Sequence, residues 1–124
     1  MPDDRKNKIS CGNYKCEIEV TLEVLSGKWK ALILWNLYLN EVIRYNEFRR
    51  IIPEITQKML TQQLKELEKY KLISRVDYGT NPPRVEYSLT EFGRGLIPIM
   101  KEMDKWGKEY VSWYQDMSTE EDEF

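Results

Sequence analysis

Two thiols and one polar helical face are the features of this 124-residue sequence that could do chemistry. Cys11 and Cys16 are its only cysteines, and histidine is absent altogether. Without an imidazole, Ser-His-Asp and Cys-His nucleophilic catalysis and histidine acid–base chemistry have no base. Two cysteines cannot by themselves complete a four-ligand zinc site, although two copies of the chain could share one. The thiols make no CxxC pair, and no phosphate-binding glycine loop is present. No metal, no cofactor and no enzymatic reaction are expected. Cys16 sits just before the first helical segment, where the backbone dipole and Lys15 favour a thiolate. The competing reading is a small hydrophobe buried at an interface, the common fate of a free cysteine.

The polar face offers recognition rather than catalysis. Gln57, Lys58, Thr61, Gln62 and Lys65 share one side of a helix expected over 57–70. Glutamine can pair with adenine at two atoms, lysine reaches guanine or phosphate, and threonine contacts the thymine methyl. No acidic residue interrupts this face before Glu66 and Glu68, whereas a face made only for solubility would mix glutamate throughout. Arg49 and Arg50, just upstream, are placed to bind phosphate. Thr80, Asn81 and Arg84 sit where an arm could reach the backbone or the adjacent minor groove. For each arginine taken singly, an ordinary surface charge is the competing reading.

The net charge of −2 conceals an uneven distribution. Residues 115–124 hold five acidic groups and no basic one, so setting them aside takes −2 to +3. Residues 41–89 carry nine Lys/Arg against seven Asp/Glu, a balance compatible with phosphate contacts. The acidic end reads as a solvated, disordered tail. An apolar fraction of 41% with 32% charged residues describes a soluble globular chain. No run approaches a membrane span, and the charged N-terminus lacks a signal-peptide core, so a cytoplasmic location is expected.

The elements that must position these residues follow from periodicity. Ile18, Leu22 and Leu25, widened by Val20 and Val24, mark a first helix that Ser26-Gly27 ends. A second helix over 29–39 is apolar around most of its circumference and is expected to be the buried central one. A third covers 45–52 and stops at Pro53. Thr56 then caps the fourth, whose stripe is Leu60, Leu64 and Leu67. Segments 72–78 and 84–89 alternate like strands around a Gly-Thr-Asn-Pro-Pro turn. Thr90 caps a last helix in which Pro98 forces a kink or a restart. A short helix, a tight turn, a helix with one polar face and a hairpin make a winged helix-turn-helix, mostly α with a small β-hairpin. The expected organisation is a flexible arm over 1–15, the winged domain with a C-terminal dimerisation helix over 16–114, and the acidic tail over 115–124.

In the last helix Leu96, Ile99, Met103, Trp106, Tyr110 and Trp113 alternate three and four apart, which is a coiled-coil seam. It can pack on the chain's own first helix or on a second copy. The favoured reading is a homodimer through the terminal helices, with Ile18 and Leu22 of the first helix contributing. Two recognition helices would then face half-sites about 10 base pairs apart, or a multiple of that. The alternative function is a winged-helix protein-interaction module that does not bind DNA. Exposed leucines on the fourth helix would favour it, and there are none.

Several blocks occur in order: Cys16-x-x-Glu19, Leu25-Ser26-Gly27-Lys28-Trp29-Lys30, Ile33-Leu34-Trp35-Asn36-Leu37 and Arg44-Tyr45-Asn46-Glu47-Phe48. Residues 55–64 (ITQKMLTQQL) and 82–90 (PPRVEYSLT) continue the series. From about Cys16 to Trp106-Gly107 the chain resembles the HxlR-type regulators, with Glu54 standing where that family commonly has glycine. The resemblance implies a sequence-specific, dimeric winged-helix transcriptional regulator that binds palindromic operators in double-stranded DNA. It also implies that the cysteine at position 16 can sense oxidants or electrophiles; Cys11, in the arm, is the candidate resolving thiol by its position alone. A small-molecule effector at the dimer interface is compatible with the sequence, which identifies none.

Overall fold

The computed structural model of the chain describes residues 16–122, the side chains of 119–122 excepted. Cys11 and the arm over 1–15 lie outside the described residues. Helices α1 (Glu17–Val24) and α2 (Trp29–Asn40) are followed by strand β1 (Val42–Arg44). Next come α3 (Tyr45–Ile51), α4 (Gln57–Lys69), β2 (Ile73–Asp77) and β3 (Val85–Leu89). The short helix α5 (Glu91–Arg94) and the long α6 (Ile97–Asp122) complete the chain.

Local chemistry sets most of the boundaries. Gly27, at φ +80, occupies the left-handed region beyond the end of α1. The Thr56 hydroxyl accepts a hydrogen bond from the Met59 amide at 3.1 Å and starts α4. The Thr90 hydroxyl accepts from the Gly93 amide at 2.9 Å and donates to the Lys71 carbonyl at 2.7 Å, so one side chain starts α5 and ties it to the end of α4. The chain then restarts as α6, with Pro98 in the first turn, where its missing N–H costs nothing.

One core joins these elements. Ile33, Leu34 and Leu37 of α2 meet Phe48 of α3 and Leu60, Leu64 and Leu67 of α4. Leu72, Ile73, Tyr87 and Leu89 from the sheet region and Ile97 and Met100 from α6 close it. Each leucine of the α4 stripe is at most 2% exposed, and its burial is worth about 1.5–3 kcal/mol. Nothing on the opposite side of α4 is constrained by that packing.

The structure departs from the sequence reading in four places. The wing is a three-stranded antiparallel sheet in the order β1-β3-β2, with Ile43 and Arg75 both opposite Tyr87. Three-residue β1 is too short to show alternation in the sequence. Helix α2 is central but not enclosed: Leu32, Tyr38 and Leu39 stay exposed among the described residues, with only Lys101 of α6 reaching over the Tyr38 ring. The segment expected as a disordered tail continues α6 as far as Asp122. It contains no glycine or proline, and its glutamates are good helix formers. Finally, Lys30 is buried in the core, 2% exposed, paired with Glu66 of α4. That pair turns Glu66 away from the outward face of the helix.

Candidate nucleic-acid interface

Helix α4 exposes Gln57, Lys58, Gln62 and Lys65, while Thr61 is partly buried. The last two lie along a cleft of about 1110 Å³ between α3, α4 and the sheet: Thr61 and Lys65 line it with Arg44, Arg50 and Arg75. The wing residues Pro82 and Pro83 form its far wall. Glu47 and Glu68 are its acidic members, so the cations converging there outnumber the acids by four to two. Of the two arginines expected on α3, both are exposed and Arg50 lines the cleft.

Arg44 and Arg75 were missed by sequence reasoning. Arg44 precedes α3 on a strand that periodicity does not reveal, and Arg75 sits on β2, where an isolated arginine carries no signal. Tyr45 was also missed as a functional side chain. Its hydroxyl lies 2.6 Å from the Thr61 hydroxyl and 3.3 Å from the Gln57 carbonyl. The Thr61 hydroxyl therefore already has a partner, which leaves its methyl for the thymine contact expected from the sequence.

The wing is more self-engaged than its sequence suggests. Arg84 Nε donates to Glu86 Oε2 at 2.9 Å, and its guanidinium lies 4.3 Å from the centroid of the Tyr78 ring. The Tyr78 hydroxyl donates to the other Glu86 oxygen at 3.0 Å, with Arg44 Nε 3.7 Å from the carboxylate. The Arg84 hydrogen bond, with lesser help from Tyr78 and the Arg44 charge, holds the Glu86 carboxyl below the usual carboxylate range. At the tip, Asp77 accepts from the Gly79 amide at 2.9 Å and the Thr80 hydroxyl donates to the Pro82 carbonyl at 2.9 Å. These local bonds shape the turn. Asn81 is exposed at the tip. In the sheet behind, burial pushes the Tyr87 phenol above its ordinary value of 10, although Arg75 works the other way.

The terminal helices leave a long apolar face bare. Ile18 is 70% and Leu22 65% exposed on α1; Trp106 is 64% and Trp113 55% exposed on α6, with Ile99, Met103 and Tyr110 also open. Trp106 and Tyr110 stack at 5.1 Å and 17°. Leu96 differs from the rest of the seam because it packs partly on the chain's own core. Cys16 is a free, exposed thiol at the residue preceding α1. Glu17 and Glu19 occupy the first turn of α1. Among the described residues, no cluster of three His, Cys, Asp or Glu could hold a metal, and no helix is long and apolar enough to cross a membrane.

This arrangement of α3, α4 and a β-wing is shared with known proteins. The HxlR-like helix-turn-helix family matches residues 24–115. The chain belongs to that family. This HxlR-type protein is thus a helix-turn-helix, DNA-binding transcriptional regulator. It is 52% identical over 103 residues to the HTH-type transcriptional regulator YybR of Bacillus subtilis (strain 168), covering 83% of this chain and 82% of that protein. Among solved structures it resembles the redox regulator HypR in its reduced form, with TM-score 0.76 and 46% identity over 82% of this chain and 99% of that one. The reduced form of the transcriptional regulator YodB from B. subtilis superimposes with TM-score 0.68 at 34% identity, over 78% and 95% of the two chains. The winged helix-turn-helix architecture and the regulator class expected from the sequence are both found. The protein-interaction reading loses its support, since the outward residues of α4 are polar or charged.

Proposed function

We propose that two copies of this HxlR-type regulator pair through α1 and α6 and lay α4 of each subunit in adjacent major grooves of a palindromic operator. One observation carries the reading. Thr61 and Lys65 of the polar α4 face line a single cleft beside the wing together with Arg44, Arg50 and Arg75, which come from three other elements. Gln57, Lys58, Gln62 and Lys65 read base edges, because their exposed side chains have the reach and the donors for it. Arg49 and Arg50 grip the flanking phosphates. The wing brings Thr80, Asn81 and Arg84 to the backbone; the Glu86 partner of Arg84 makes that contact a positioning one rather than a base reading. Pairing covers Ile18, Leu22, Ile99, Met103, Trp106, Tyr110 and Trp113, a face too apolar and continuous for a lone soluble chain. The protein works in the cytoplasm, where DNA is.

Control by oxidation or alkylation of Cys16 belongs to the same proposal. The exposed thiol supports it, as does the similar protein HypR, described as a redox regulator in its oxidised and reduced forms. Mild diamide should change operator affinity in the wild type and not in Cys16→Ser; unchanged affinity in the wild type removes the thiol from the account.

The DNA reading is tested by fluorescence anisotropy on duplexes enriched from a random-sequence library. Wild type should bind tightly and in a salt-dependent way. Gln62→Ala with Lys65→Ala should lose about 30-fold or more in affinity, the low end for two base contacts. No binding to any duplex at low salt overturns the proposal.

A further inference from the structure

Tyr45 begins α3, yet its phenol spans the turn to the reading helix. The hydroxyl lies 3.3 Å from the carbonyl of Gln57 and 2.6 Å from the hydroxyl of Thr61, one helical turn further along α4. The ring packs partly against the core, so its position is set by contacts that do not depend on the hydroxyl. A phenol has one proton to give, and a carbonyl can only accept. Either hydroxyl can donate in the 2.6 Å contact; in the arrangement where the Tyr45 proton goes to the Gln57 carbonyl, the proton in that contact belongs to Thr61.

We infer that Tyr45 is a positioning residue for DNA reading: it consumes the Thr61 hydroxyl proton and leaves Thr61 facing the groove as a hydrogen-bond acceptor with a methyl group. The inference rests on the proposed placement of α4 in the major groove. Its consequence is a base preference. An acceptor at Thr61 favours an exocyclic amino group, N6 of adenine or N4 of cytosine. A threonine whose proton was free would instead also suit the acceptors of guanine.

The test compares random-sequence selections made with wild type, Tyr45→Phe and Thr61→Val. Phenylalanine keeps the ring and removes only the hydroxyl; valine keeps the shape of Thr61 and removes its acceptor. One position of the wild-type site should prefer adenine or cytosine on the strand read, and both variants should relax that same position and no other. Affinity for the selected site relative to random duplex should fall about fivefold in Tyr45→Phe, as expected for one net hydrogen bond. The double variant should fall no further than Thr61→Val alone. The salt slope should stay constant, because no phosphate contact is lost. If wild type selects a site and Tyr45→Phe selects it with the same ratio, or if the two losses simply add, the inference is wrong and the DNA reading survives. If wild type selects no sequence, both fall together.

Discussion

Replacing Gly93 with alanine should be among the most damaging single-methyl changes in this protein. Gly93 is buried in α5, against the start of the wing. A Cβ built there would lie 2.1 Å from the Leu72 carbonyl oxygen, 3.0 Å from its carbon and 3.3 Å from its Cα. All three are backbone atoms, so no side-chain rotation relieves the clash. Reaching even 3.0 Å from the oxygen requires about 0.9 Å of separation between α5 and Leu72. Close packing makes such a shift cost about 1–3 kcal/mol. The same carbonyl accepts the Thr90 amide at 3.0 Å, and loosening that bond adds about 1 kcal/mol. The combined loss is about 2–4 kcal/mol, a large share of the 5–15 kcal/mol typical of a domain. At about 4 °C per kcal/mol the midpoint falls by roughly 8–16 °C. Urea unfolding followed by tryptophan fluorescence, at fixed protein concentration, measures it. Gly79→Ala is the control. Its φ of +66 carries backbone strain, but nothing lies within 4 Å of the added methyl, so about 1 kcal/mol is expected. A Gly93→Ala protein within 0.5 kcal/mol of wild type would refute the argument.

Other perturbations address other links. Glu66→Gln leaves Lys30 in the core without its counter-ion and should cost about 3 kcal/mol, the low end for a buried pair because Glu66 is partly solvated. Lys30→Met combined with Glu66→Leu should recover most of that in the same denaturation assay; a double variant as unstable as the single contradicts the pairing. Burial holds the Tyr87 phenol above 10, so its contribution is intact below that pH and is lost as pH rises through the raised value. Stability of wild type should therefore fall more steeply above pH 10 than that of Tyr87→Phe, and identical alkaline limbs would refute the assignment. Trp106→Glu puts a charge in the centre of the bare α6 face and should leave a folded monomer by sedimentation at micromolar concentration. A dimer that persists moves the interface elsewhere.

The legible and illegible parts of this sequence separate by range. Leu60, Leu64 and Leu67 repeat at helical spacing and Thr56 precedes them, so α4 and its outward face follow from local pattern alone. Gly27, Thr90 and Pro98 act within a turn of themselves and mark their boundaries as expected. The hairpin strands alternate and are found. What is not legible depends on contacts between distant segments. Strand β1 exists because β3 pairs with it, and three residues leave no periodic trace. Lys30 reads as an ordinary charge until Glu66, 36 positions away, is brought against it. Arg44, Arg75 and Tyr45 join the cleft only through the sheet and the α3–α4 packing. The partners of Arg84 and Thr61 are likewise invisible in the sequence, and the structure supplies them as Glu86 and Tyr45.

The central claim is that a pair of these chains reads DNA through two copies of α4. Hydroxyl-radical footprinting of the wild-type protein on its selected duplex tests this most directly. The account predicts an inverted repeat with two protected patches whose centres lie about 10 base pairs apart or a multiple of that, both weakened by Gln62→Ala with Lys65→Ala. A single asymmetric patch, or a footprint indifferent to those substitutions, would contradict it.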